Sequence, residues 1–74
     1  MSEPWRVEAF LHEHDGQLRV GLVATRKVGD QLENTSDVSV VANEADARHE
    51  ARAFCAMLGV SDYSFVDQRK SAAA

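Results

Sequence analysis

The sequence predicts an α+β domain: a three-stranded antiparallel meander packed on one C-terminal helix, with residues 63–66 as a candidate fourth strand. Three observations carry this. Apolar and polar residues alternate from Trp5 to Leu11 and again from Leu18 to Ala24. An Asp15-Gly16 pair separates the two runs. One apolar stripe at helical spacing follows, from Ala47 to Leu58.

In the first run Trp5, Val7, Ala9 and Leu11 are interleaved with Arg6, Glu8 and His12, and Phe10 breaks the polar series. Period two means a strand with one buried face. Leu18, Val20, Leu22 and Ala24 repeat the pattern. Asp-Gly suits the hairpin turn between them, since both central residues of a type I′ turn need positive φ. A two-residue loop sets His14 opposite Gln17. Leu11 then opposes Val20, Ala9 opposes Leu22, and Val7 opposes Ala24. All six are apolar and share a face, an agreement that a one-residue slip would destroy.

For the second connection a two-residue Gly29-Asp30 turn would point Asp37 and Ser39 inward and Val38 and Val40 outward. A three-residue loop, Gly29-Asp30-Gln31, reverses this. It sets Val28 against Leu32, Leu22 against Val38 and Val20 against Val40, with Thr25–Thr35 and Lys27–Glu33 pairs outside. The three-residue loop is therefore expected, with the second strand central. The helix begins at an Asn43 N-cap, has Glu44 and Asp46 in its first turn, and closes at Gly59. Ala47, Ala51, Phe54, Cys55 and Leu58 form its apolar stripe. A one-faced sheet and a one-striped helix must cover each other. Residues 1–67 are assigned to this single domain. Residues 68–74, "QRKSAAA", have no periodicity and are expected to be a flexible tail.

Composition narrows the function classes. A chain of 74 residues makes one domain. At this size only about 60% of the unfolded surface is buried, leaving little room for an enclosed active site. The net charge of −4 disfavours a simple phosphate footprint and suits a partner with a basic surface. The single cysteine, Cys55, cannot form an internal disulfide. No leader or membrane span is read from the sequence, so a cytoplasmic setting is expected.

No residue set has the form of a catalytic or metal site, so no enzyme activity, catalytic residue, metal or cofactor is expected. "HEH" at residues 12–14 is the nearest candidate. In the fitted register His12 and His14 point away from the helix, whereas His49 lies on the helix face turned from the sheet. A zinc site needs three or four convergent ligands. Cys55 sits in the apolar stripe, so a buried thiol is expected rather than a nucleophile.

Two surfaces remain for a partner. The first is the outer sheet face, for which Arg6, Phe10, His12, Arg19, Val23 and Lys27 are the candidate contacts. Glu8, Gly21, Thr25, Ser39 and Val41 are expected on the same face. Phe10 opposite Gly21 can be an aromatic ring shielding a strand glycine, or the anchor of a partner site. The second choice is an acidic rim of Asp30, Glu33, Asp37, Glu44 and Asp46, ordinarily a solvated margin. The outer helix face, with Ala45, His49, Ala53, Ala56 and Met57, reads as good helix formers. A homodimer through the sheet or helix face would cover an open surface.

The order strand, "DG" turn, strand, strand, then "NEADARHEARAFCAMLG", resembles the sheet and final helix of double-stranded RNA-binding domains. That family places lysines at the start of this helix, where Glu44, Asp46 and Glu50 stand here. Size, acidity and the "HEHDGQLRV" plus "EARAFCAMLG" layout also resemble the small acidic phage proteins of the anti-CRISPR class. That resemblance covers Trp5 to Val66. It implies a non-enzymatic inhibitor of a nucleic-acid-binding complex, such as a CRISPR surveillance complex. Direct nucleic-acid binding through the open sheet face is the alternative.

Overall fold

A computed structural model describes residues 3–69. Strands β1 (Arg6–His14), β2 (Gln17–Val28) and β3 (Gln31–Val40) lead into helix α1 (Glu44–Leu58) and a short strand β4 (Ser64–Asp67). The sheet order is β3-β2-β1-β4. The expected α+β meander and helix are present. The fourth strand is real and lies parallel to β1, with Ala9 opposite Phe65 and Phe10 opposite Val66. Of the tail expected over 68–74, Gln68 and Arg69 are described and residues 70–74 lie outside the described residues. Arg69 binds the Asp67 carboxylate through both its backbone and its guanidinium.

The first hairpin has the expected register. His14 faces Gln17, and Leu11–Val20, Ala9–Leu22 and Val7–Ala24 are opposed pairs. Asp15 and Gly16 have φ of 53° and 77°, as a type I′ turn demands. The six apolar side chains are all buried.

The second hairpin differs from expectation. Its loop has two residues, so Val28 pairs with Gln31, Leu22 with Asp37, Gly21 with Val38 and Val20 with Ser39. Gly29 takes φ 60° while Asp30 stays out of the left-handed region, the pattern of a type II′ turn. The expected Thr25–Thr35 and Lys27–Glu33 pairs are replaced by Thr25–Asn34 and Lys27–Leu32. Ser39 therefore turns to the helix side, and Val41 is buried in the core rather than on the outer face.

The Gly29-Asp30 turn sets this register. The helix packs against β1 and β2. Beyond Ala24 the inner face of the hairpin is dressed differently. Arg26 lies over the Trp5 ring at 4.4 Å and pairs with Glu33 at 2.7 Å. The N-terminal segment adds a backbone bond from Glu3 N to Lys27 O at 3.0 Å. The Arg26–Glu33 pair matches the two-residue register, which leaves Val38 outward although a slip would set it against the buried Leu22.

The helix is capped as expected. The Asn43 side chain accepts from Asp46 N at 2.8 Å, while Asp46 reaches back to accept from Ala42 N at 3.0 Å. Gly59 ends the helix in the left-handed region, and Val60 N donates to Cys55 O at 3.0 Å. Ala47, Ala51, Phe54 and Cys55 bury against the sheet, with Leu58 half-buried beside them. Arg48 stacks on Phe65 at 4.2 Å and pairs with Glu44 at 3.2 Å, tying α1 to β4.

Candidate interaction surface

The outer sheet face is built by strand alternation. Residues beside Val7, Ala9 and Leu11 must point to the opposite side, which places Arg6, Glu8, Phe10 and His12 outward. The β1–β2 register adds Arg19, Gly21, Val23, Thr25 and Lys27 to that face. The β2–β3 register adds Leu32, Val38 and Val40, and the β1–β4 register adds Val66. All six sheet-face candidates, Arg6, Phe10, His12, Arg19, Val23 and Lys27, thus share one side. Val38, Val40 and Leu32 were missed because the three-residue loop turned the β3 residues inward, and Val66 because its place depends on how the fourth strand pairs.

These registers make a single row. Val66 opposes Phe10, Phe10 opposes Gly21, and Gly21 opposes Val38. The row crosses all four strands. Val38 is 60% exposed, Val40 63%, Leu32 78% and Val66 40%, so the face is open to solvent. Among the described residues no element packs over it. Lone exposed apolar residues need no explanation, but a contiguous row does.

Gly21 has its own place in this row. A Cβ there would lie 3.9 Å from His12 Cε1 and 3.9 Å from the Phe10 carbonyl oxygen, an ordinary contact distance. The ring nearest Gly21 is therefore that of His12, not Phe10. Packing within the chain does not require a glycine here. Gly21 is half-buried beside the His12 ring and adds no side chain of its own, so another molecule can come close to its backbone.

The cations border the row. Arg19 lies opposite both His12 and Val40. One of its terminal nitrogens donates to Gln17 Oε1 at 3.0 Å, while its Nε is shielded from solvent and unpaired. Glu8 is the acid on this side of β1 and β2, beside Arg6, Arg19 and Lys27. The sheet face is thus more basic than the chain as a whole.

The acidic residues do not gather. Asp30 is at the hairpin tip and Asp37 seven positions along the chain, roughly 20 Å at strand rise. Glu33 is held by Arg26, Glu44 by Arg48, and Asp46 by the helix cap. Asp37 Oδ1 accepts from the Val38 backbone at 2.9 Å.

His14 lies 3.3 Å from Asp15 at the first turn, and His49 is exposed on α1. Among the described residues no three His, Cys, Asp or Glu side chains converge on a metal position. Cys55 is buried, with Sγ 3.6 Å from the Asp62 carbonyl. Burial, and then the charge of Asp62, push its thiol above the ordinary value. That favours the protonated form, the opposite of a nucleophilic cysteine. Arg48 is held above its ordinary value by Tyr63 and Glu44. Among the described residues no helix is long and apolar enough to cross a membrane.

No family model matches the chain, and no curated protein or solved structure matches it either.

Proposed function

We propose that this chain is a non-enzymatic protein-binding module that docks its partner on the outer sheet face. The observation that carries this is the outer-face row Val66–Phe10–Gly21–Val38, exposed at Val66 and Val38 and half-buried at Phe10 and Gly21. An aromatic near the centre of an apolar patch, beside arginines, is common hot-spot chemistry. The anti-CRISPR-like layout supports the narrower role of inhibitor of a nucleic-acid-binding complex in the cytoplasm. The acids Asp30, Glu33, Asp37, Glu44 and Asp46 are the second-choice contact for a basic partner. Their dispersal makes the sheet face the stronger candidate.

Two substitutions test the site after affinity capture and mass spectrometry have identified the partner. Phe10→Ala should weaken binding by roughly 2 kcal/mol or more, as hot-spot truncations do. It should cost under about 1 kcal/mol of stability, the range for a cross-strand surface pair. Gly21→Val should fold at least as well as the parent and also lose binding, because its side chain fills the approach path. Retained binding in both variants removes the sheet face as the site.

The charge pattern favours one second reading, direct binding of single-stranded nucleic acid. Arg6, Arg19 and Lys27 would track phosphates while a base stacks on Phe10. Fluorescence anisotropy at low salt decides it, since electrostatic affinity is greatest there. No signal at low ionic strength ends this reading.

A further inference from the structure

The far edge of β3 carries a second, separate surface. Val41 N donates to Leu18 O at 2.9 Å, and Leu18 is the next partner in the register. In an antiparallel ladder, residues that exchange such bonds alternate with residues that do not. Odd-numbered residues of β3 therefore bond to β2. Leu32, Asn34, Ser36, Val38 and Val40 turn their N–H and C=O groups outward. Among the described residues no strand pairs with this edge. It is 10 residues long, without proline, lysine or arginine, whereas the edge strand on the other side, β4, has four. Long regular edges are usually blunted in soluble proteins.

We propose that this edge pairs with the same edge of a second copy, β3 antiparallel to β3, giving a continuous eight-stranded sheet across a twofold axis. The sequence of β3 argues for a second copy in particular. One register joins all of the outward-bonding residues to one another. It sets Ser36 against Ser36 of the second copy, Asn34 against Val38, and Leu32 against Val40. The apolar ends then pack on each other beside the outer-face row. On the other face Thr35 meets Asp37, and Glu33 meets Ser39, so no acid opposes an acid. A two-residue slip one way puts Glu33 opposite Asp37, and the other way Asp37 opposite Asp37. Like charges directly opposed are destabilising, so the full register is also the favoured one. The Asp37 carboxylate now holds the Val38 N–H, and pairing exchanges that bond for the Asn34 carbonyl of the second copy.

Sedimentation of the full chain across a concentration series tests this. The mass should rise from 8.1 kDa toward twice that value. Ser36→Pro removes an outward N–H and no bond to β2, so the variant should keep its circular dichroism and stay monomeric. Phe10→Ala should dimerise as the parent does. Ser36→Cys guards against a proline variant that fails to fold. Under a glutathione redox buffer it should crosslink two copies quickly, since directly opposed residues lie about 5.5 Å apart, within disulfide reach. Val38→Cys, displaced from its own counterpart by several residues, should not. The parent chain, with Cys55 buried, serves as the blank. A monomer up to millimolar concentration overturns the proposal. So does a dimer that survives Ser36→Pro, is lost in Phe10→Ala, or crosslinks faster through Val38→Cys than through Ser36→Cys.

Discussion

The two hairpins of this sheet use loops of the same length and are governed by different constraints. In β1–β2 the Asp15-Gly16 turn and the apolar alternation agree, and α1 lies against both strands. In β2–β3 the turn and the alternation disagree. Gly29-Asp30 specifies a two-residue II′ turn, while Val38 and Val40 favour a slip that would bury them. The turn wins, and the valines face solvent. Alternation reports which face of a strand is apolar. It does not report that the chain itself covers that face.

The largest contrast should come from truncating one apolar residue in each hairpin. Leu11 is fully buried between β2 and α1, and Leu11→Ala should cost about 2–5 kcal/mol. That is most of the stability of a small domain, roughly 5 kcal/mol at the low end of the natural range. Leu32, 78% exposed in the single chain, should tolerate Leu32→Ala within about 0.5 kcal/mol at a dilution where the chain is monomeric. Urea denaturation of the two variants measures both. Comparable losses would mean that the β3 face is covered by a different fold of the hairpin.

A middle-sized effect belongs to the turn itself. Gly29 sits at φ 60°, where an L-residue is strained by about 1–2 kcal/mol. Gly29→Ala should lower the urea midpoint accordingly. A cost near zero would show that the hairpin can move to another loop length, as the alternation pattern alone suggested.

The element order, the first register, the helix caps and the buried Cys55 were legible because each depends on neighbours close in sequence or on a match that one slip destroys. The direction of β4 was not. Four residues carry no sign of parallel or antiparallel pairing, and the contact that seats Phe65 comes from Arg48 on the helix. The candidate surface was half legible. Arg6, Phe10, His12, Arg19, Val23 and Lys27 followed from the first hairpin. Val38 and Val66, which complete its row, depended on the second turn and on the fourth strand. The Gly-Asp dipeptide was the signal that could have found Val38, since it favours a two-residue loop by the same turn chemistry as Asp-Gly.

The smallest effect is the sharpest test of the two registers. Val38→Thr keeps shape and swaps a methyl group for a hydroxyl. With Val38 on the open face opposite Gly21, the hydroxyl meets water, and stability should change by less than about 0.5 kcal/mol. With Val38 opposite Leu22 in the core, as a three-residue loop would place it, an unpaired buried hydroxyl should cost about 1–3 kcal/mol. Val20→Thr supplies that second case within the same protein, because Val20 is fully buried. The pair of variants therefore reads the register directly: a large loss at Val20 with none at Val38 fixes the two-residue turn, and equal losses at both positions would restore the slipped sheet. If Val38→Thr leaves folding intact yet weakens capture of the partner, the residue that the alternation pattern misplaced belongs to the binding surface.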